Sequence, residues 1–430
     1  MLLDSSMTIG QRFKIIRSEK GFSQAELVEG ICSQAVVSQI ETDRKYPSAE
    51  MWGKLADKLG TPLREIMGMQ EKQMEAGFQI DMVRVYIEKA DYEHSLELID
   101  ELDRREDLLE HQRIILLTCR AESLVKNGDY QAALEVLVPF LELQETQQTV
   151  DDEILCDTYN KLGNAFYRIN DFERAFSAFE QGYRISVRLP KFGLIAARVT
   201  KNLGLTCNQL GFKKDATRYL EKAYKFFQHA SNINELANTM FYLALATENA
   251  EYMLKARSLY EGIEFVREAN IAKQYYAFHV VKNDNPDKSL SEIEDCTREF
   301  ERMGDLPMCI FTLSRSAMLC TELDRQDEAE HYLELAEKYV EELGDKSDYL
   351  LSEYYKAKSI LYYRRTDYNQ AVRNAMKSVE ICVTMGLVTD AADALQVAAE
   401  SYRQLGMIEM AYNTSMEIVK MLRNPLNRGK

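Results

Sequence analysis

The sequence predicts an all-α protein, in which a small N-terminal domain of five short helices precedes an array of about nine helical hairpins. Three observations predict it. Proline is scarce, 7 in 430 residues, so long helices are permitted almost throughout. Short helical segments separated by turn signals fill residues 8–69. Behind them a small residue recurs at intervals of 33 to 42 residues, from Ser95 to Ala411, as expected for stacked repeats. The expected boundaries are a domain over 1–69, a linker over 70–80 and an array over 81–430.

Charge divides the chain at the same place. Of 53 basic and 69 acidic residues, nine of each fall in 1–69, so the net charge of −16 lies wholly behind residue 69. An acidic array does not attract nucleic acid, so any surface for a polyanion would have to lie in the neutral N-terminal domain. No window approaches the roughly 18 uninterrupted apolar residues of a membrane span. The start MLLDSSMTIGQRFK lacks a basic region followed by an apolar core, so a cytoplasmic protein without membrane contact is expected. The eight cysteines are scattered without a CxxC pair and the five histidines without an HExxH. That pattern suits reduced core thiols, and no disulfide, metal or cofactor is expected. GxSxG, Walker and GxGxxG motifs and a His-supported carboxylate cluster are all missing, so no catalytic residue is expected and the chain reads as a non-enzyme.

Five helices are expected in the N-terminal domain, over 8–19, 23–29, 33–42, 48–59 and 62–68. Gly21 stops the first. Ser23 and Glu26 form a capping box for the second, and Ser33 is placed to cap the third. Pro47-Ser48 opens the fourth, and Gly60-Thr61-Pro62 separates it from the fifth. Ile9, Phe13, Ile16, Leu27, Val37, Ile40, Leu55, Leu59 and Ile66 recur at helical spacing and should form one small core.

The stretch IGQRFKIIRSEKGFSQAELVEGICSQAVVSQIETDRKYPSAEMWGKLADKLGTPLREI resembles the phage-repressor (Xre/Cro) type of helix-turn-helix over the whole domain. The resemblance implies an internal salt bridge between Arg17 and Glu41, and a recognition helix starting at Ser33-Gln34-Ala35. It places Gln34, Ala35 and Ser38 toward base edges and Ser23, Gln24, Arg44 and Lys45 on phosphates, with Ser33 at the head of the helix. Gln34 suits that role, because a Gln there can form two hydrogen bonds with adenine. With no Arg or Lys between Ser33 and Glu41, guanine readout from this helix is not expected.

The repeat is clearest in YNKLGNAFYRINDFERAFSAFEQGYRI, where Tyr159, Leu162, Gly163, Phe166, Ala175, Phe179 and Gly182 occupy tetratricopeptide positions 4, 7, 8, 11, 20, 24 and 27. Small residues at 8, 20 and 27 let two helices approach closely, and large ones fill the space between hairpins. Taking position 20 as the marker gives Ser95, Ala133, Ala175, Ala216, Ala256, Ser289, Ala329, Ala371 and Ala411, hence nine hairpins. Turn residues recur where each hairpin should bend: Asn127-Gly128-Asp129, Asn170-Asp171, Leu210-Gly211, Asn283-Asp284, Arg365-Thr366-Asp367 and Leu405-Gly406. Such arrays resemble a right-handed superhelix whose first helices line a concave groove. The final unit, before NPLNRGK, would serve as a cap.

In tetratricopeptide arrays, positions 2, 5, 9, 12 and 13 of each first helix face the groove. They correspond here to Glu122, Lys126, Asn160, Asn164, Tyr167, Lys201, Asn208, Gln209, Asn238, Phe241 and Asn249, and in the later hairpins to Gln274, Phe278, Lys356, Tyr363 and Arg403. Asn202 is adjacent. A carboxamide offers both a donor and an acceptor and can pair with both groups of a peptide backbone. The carboxamides are densest between Asn160 and Asn249, which places the expected peptide site in the third to fifth hairpins.

The combination of these two parts resembles the Rap/Rgg/NprR/PlcR/PrgX family of Gram-positive quorum-sensing receptors. GICSQAVVSQIETDRKYPS is most similar to the PlcR branch, and the length and nine hairpins to the NprR branch. The resemblance implies a transcriptional regulator that binds a double-stranded operator as a homodimer or tetramer. A short signalling peptide in the groove would switch it, with its backbone held by asparagines such as Asn164 and Asn202. Relatives also bind a response regulator, so sequestration of such a partner, or a scaffold role with a protein in the groove, is the alternative. The segment GMQEKQMEAGFQI, with Gly68 and Gly77, is the expected transmitter between the two parts.

Overall fold

The computed structural model describes residues 8–28, 30–42, 44, 45, 47, 49–67, 69–147, 150–344 and 350–423. Every regular element among them is helical. Ser48, Gly68 and the segment 424–430, which figure in the expectations above, lie outside the described residues. The chain divides into two compact units, 1–129 and 130–430.

The first unit opens with α1 (Ile9–Glu19), α2 (Gln24–Val28), α3 (Gln34–Glu41), α4 (Ala49–Leu59) and α5 (Leu63–Met67). All five expected helices are present, each shorter by a residue or two. The Ser23–Glu26 capping box forms: Ser23 Oγ accepts from the Glu26 amide at 3.2 Å, and the Ser23 amide donates to Glu26 Oε2 at 2.8 Å. Ser33 occupies the cap position of α3 but makes no side-chain cap bond. The core contains the expected residues, except that Ile9 is only partly buried, and it gains Trp52, 1% exposed and edge-on to Phe13 at 5.2 Å.

The connecting segment, expected to be polar and helical, is helix. α6 (Met69–Glu88) runs unbroken through 70–80, and Ala76 and Ile80 are buried with Val83 and Ile87 against α7 (Tyr92–Asp103) and α8 (Glu110–Asn127). Contact with two neighbouring helices fixes a stretch whose sequence reads as a polar connector.

The second unit starts with α9 (Tyr130–Gln147) and continues in hairpins: α10 (Asp152–Arg168) with α11 (Phe172–Ser186), α12 (Leu194–Gln209) with α13 (Lys213–Phe227), and α14 (Ile233–Thr247) with α15 (Ala250–Gly262). Next comes α16 (Val266–Tyr276), which passes through a π-helical turn, Ala277–Val281, and the short α17 (Lys282–Asp284) before α18 (Pro286–Met303). The last hairpins are α19 (Leu306–Glu322) with α20 (Gln326–Leu343), α21 (Leu351–Arg364) with α22 (Tyr368–Thr384), and α23 (Val388–Gln404) with α24 (Ile408–Arg423). Each marker residue falls in the second helix of a successive pair. From Ser95 to Ala371 all are fully buried, while Ala411, in the last helix, is half-exposed.

Small residues set the closeness of packing. A Cβ on Gly163 would stand 2.5 Å from the Phe179 ring, and one on Gly204 2.8 Å from Leu220 Cγ. Five of the six turns follow the expected residues, Gly128, Asn170, Gly211, Thr366 and Gly406 all adopting positive φ, whereas Asn283-Asp284 is helical in α17 and the break falls at Asn285. Asp171 and Asp367 then cap the following helices through the amides of Arg174 and Gln370. The second unit also contains a contact that nearest-neighbour stacking does not require. Phe172 and Leu210 are buried in one cluster with Val379, Cys382, Leu387 and Leu395, and a Cβ on Gly211 would meet Thr389 Oγ1 at 2.6 Å. The turn after α12 therefore packs on the turn before α23.

Candidate functional site: a helix-turn-helix surface and a first-helix face

In the N-terminal domain the side chains at and on α3 expected to face DNA are exposed, and so is Gln39, which was not among them. Ser33, Gln34, Ala35 and Ser38 are exposed while Val37 and Ile40 are buried. Arg44 and Lys45 are exposed just beyond the helix, and Ser23 at the start of α2. The helix is aimed by a buried ion pair. Arg17 Nε donates to Glu41 Oε1 at 2.5 Å and Arg17 Nη1 to the Phe22 carbonyl at 2.5 Å, tying α1 to the end of α3. Gln24 Nε2 donates to Glu41 Oε2 at 2.8 Å, so this carboxamide is partly committed to the internal network.

In the second unit, side chains connect one first helix to the next. Asn202 on α12 donates from Nδ2 to Asn160 Oδ1 at 2.8 Å and Asn164 Oδ1 at 3.1 Å, both on α10. Further along the two helices, Gln209 Nε2 donates to the Tyr167 hydroxyl at 3.2 Å. Three of the expected carboxamides thus meet at one place. Lys201 stands beside them, paired with Glu235 of α14 at 2.6 Å, with Arg198 on the same carboxylate at 2.9 Å. Burial pushes the Glu235 carboxyl up, and the two cations outweigh it, so the group lies below the usual carboxylate range.

Other expected groove residues have structural positions. Asn238 receives the Tyr260 hydroxyl at 2.9 Å and donates to Asn234 Oδ1 at 2.7 Å. Phe241 is 7% exposed, in the core with Met240, Ala244 and Tyr260. Asn249 caps α15 by accepting from the Glu251 amide at 2.9 Å. Glu122 and Lys126 form an i, i+4 ion pair of 3.0 Å on α8, in the first unit.

The same face continues through residues that positional reasoning missed. Tyr242 is pushed up to about 12 by burial, with Tyr275 nearby. On α16 and its π turn, Tyr275 stacks on His279 with ring centroids 5.7 Å apart. His279 is exposed, yet its surroundings pull its imidazolium down to about 4, by desolvation first and then by Arg315 and Lys282. Nearby, Arg315 of α19 hydrogen-bonds Gln274 and pairs with Glu353 of α21, which also holds Lys356, and the charge of Lys356 acts on Asp390 and Asp393 of α23. Glu353 and Asp393 occupy position 2 of their hairpins and so carried a sequence signal. Arg315 and Tyr275 occupy position 6, outside the rule.

Residues 13–66 match the helix-turn-helix family HTH_3. No curated protein matches the chain in sequence. Among solved structures, a Rap protein complexed with Competence and Sporulation Factor superposes with a TM-score of 0.63 at 12% identity, over 82% of this chain and 98% of that one. The apo form of the quorum sensor NprR from B. thuringiensis gives 0.59 at 13% identity, over 81% and 99%. Aspartyl phosphate phosphatase F from Bacillus subtilis gives 0.50 at 14% identity, over 83% and 95%. Identities this low establish fold only. No helix among the described residues is long and apolar enough to cross a membrane. The chain therefore joins an HTH_3 helix-turn-helix to the tetratricopeptide-like fold of the Rap and NprR structures, the two features on which its resemblance to the quorum-sensing receptor family rests.

Proposed function

We propose that the protein is a peptide-switched transcriptional regulator: α3 reads an operator, and the first-helix face of the second unit binds a short peptide that controls DNA binding. The observation that carries this reading is the carboxamide cluster of Asn160, Asn164 and Asn202, in a chain that also presents an exposed helix-turn-helix surface. Asn202 here satisfies the two acceptors itself. A peptide strand would replace those bonds, its N–H groups donating to Asn160 and Asn164 and its carbonyl accepting from Asn202. Tyr167, Gln209 and Lys201 would flank it, with Asn238 and Phe241 supporting rather than touching it.

DNA recognition on this reading uses Gln34, Ala35 and Ser38 for bases, and Ser23, Gln24, Ser33, Arg44 and Lys45 for phosphates. It uses two copies, because helix-turn-helix domains of this type read paired half-sites. Coupling runs through α6, a continuous helix that leads out of the DNA-binding domain. A peptide that favours one arrangement of the dimer shifts DNA affinity by its differential affinity for the two arrangements.

The test is sedimentation and thermal melting of the full chain with a library of five- to eight-residue peptides, including those encoded in short reading frames beside its gene. A peptide that raises the melting temperature and changes operator affinity supports the reading. If no peptide changes either, it falls. A second reading, a switch that sequesters a protein such as a response regulator, draws on the Rap likeness. A peptide-sensitive pull-down of the regulator with no operator binding would favour it.

A further inference from the structure

Arg315 is 5% exposed and Gln274 fully buried. Of the five N–H groups of the guanidinium, one hydrogen bond is made among the described residues, from Nη1 to Gln274 Oε1 at 3.2 Å. The nearest carboxylate, Glu353, forms an ion pair of 3.5 Å with Arg315 Nε, beyond good hydrogen-bond length, and is shared with Lys356, which stands closer at 2.6 Å. Arg315 Nε and Gln274 Nε2 are both buried donors without a partner. The rings of Tyr275, Phe278 and Phe311 lie 4.3, 4.7 and 4.4 Å from the guanidinium carbon. They stabilise its charge through their faces and leave its N–H edges unfilled.

Buried donors left unmade are costly, and both orphans are of one kind. What they lack is an acceptor, and the planar fork of an arginine matches a carboxylate. The site adjoins the π-helical turn Ala277–Val281, an irregularity that often accompanies function. The groups facing it are His279 and Lys282 beyond α16, Glu353 and Lys356 on α21, and Asp390 and Asp393 on α23. Because Glu353 is shared with Lys356, it leaves the hydrogen-bonding edge of Arg315 Nε without a partner.

We propose that Arg315 and Gln274 form a carboxylate-receiving site that anchors one end of the bound peptide, at a distance from the asparagines that hold its backbone. This rests on the peptide-receptor reading above. The carboxylate could be the peptide's C-terminus or an Asp or Glu side chain, and the experiment separates these sources.

The full chain is incubated with random heptapeptide libraries made in free-acid and C-terminally amidated forms, each with and without Asp and Glu, and retained peptides are quantified by mass spectrometry. The expected result is retention of free-acid peptides at least about tenfold above their amides, as for a charge-assisted bond. Equal retention confined to peptides containing Asp or Glu supports the same site with a side-chain carboxylate. Retention indifferent to both overturns the anchor and leaves the peptide reading intact, and no retention overturns both. The unaltered protein suffices for these arms. Arg315→Lys, which keeps the charge and loses the fork, should reduce the free-acid preference at least about fivefold, and an unchanged preference would also overturn the anchor.

Discussion

The Arg17–Glu41 pair shows why one buried contact decides the geometry of the DNA-reading helix. Arg17 holds Glu41 and the Phe22 carbonyl together, and both side chains are largely excluded from water. Removing one partner leaves the other charge buried and unpaired. Arg17→Met should therefore cost about 3–5 kcal/mol, and the Arg17→Met, Glu41→Leu double variant should recover most of it. Denaturant titration of the N-terminal transition tests this, and a double variant no better than the single would refute it. Ser23 and Ser33 separate stability from recognition. Ser23→Ala should cost about 1 kcal/mol through loss of its capping bonds, whereas Ser33→Ala, which breaks no cap bond, should stay within about 0.5 kcal/mol. A loss of operator affinity in Ser33→Ala then reports DNA contact alone.

Asp390 gives a pH signature at the same scale. Burial raises its carboxyl to about 6, with Lys356 opposing and Glu353 and Asp393 adding. Its pKa is higher folded than unfolded, so its contribution to stability is present at low pH and is lost as pH rises toward about 6. Asp390→Asn should accordingly raise the melting temperature at pH 7.5 and leave it little changed at pH 4. Melting curves at the two values decide the matter, and equal shifts at both would show that ionisation of this group is not the cause.

At the scale of the element, close helix approach depends on residues without side chains. Gly163→Ala forces a Cβ to 2.5 Å from a ring that is itself 1% exposed and has no room to retreat. A destabilisation of about 1–3 kcal/mol is expected from overpacking, measurable by denaturant titration, and a neutral result would mean that α10 and α11 can separate without cost. These features were readable in the sequence because they are local. The capping box at Ser23, the glycines at positive φ and the small marker residues each express a constraint within one turn or one hairpin. What could not be read depended on distant partners. α6 reads as a polar helical connector, and only its contact with α7 and α8 shows that Ala76 and Ile80 are buried. Asn238 and Phe241 fit the groove positions by number, but Tyr260 and the α14–α15 core claim them. Asn160 and Asn164 were legible because α10 keeps the regular register, and Asn202 only as the neighbour of an inward position. Arg315, at the same position 6 of its hairpin, carried no carboxamide to mark it, and its environment is supplied by α16 and α21.

At the scale of the second unit, a simple stack of hairpins would be stabilised only by nearest neighbours, so a local disturbance should stay local. The contact between the turn after α12 and the turn before α23 breaks that rule. Leu387 is 3% exposed and shares a cluster with Phe172 and Leu210, residues of the third and fourth hairpins. Leu387→Asp would place a charge in that cluster. Its cost would be relieved by opening the contact rather than by unfolding a hairpin, since helices on both sides keep their own neighbours. Hydrogen exchange should then accelerate at 167–176 and 208–214 as well as around 379–395. Acceleration confined to α22–α24 would mean that the contact carries no free energy. The distinction bears on function, because these hairpins hold Tyr167 and Gln209 on one side and Asp390 and Asp393 on the other. A ligand that bridges the two sides would stabilise the contact and slow exchange at both turns together. A ligand held by α10 and α12 alone would slow exchange only in their own hairpins.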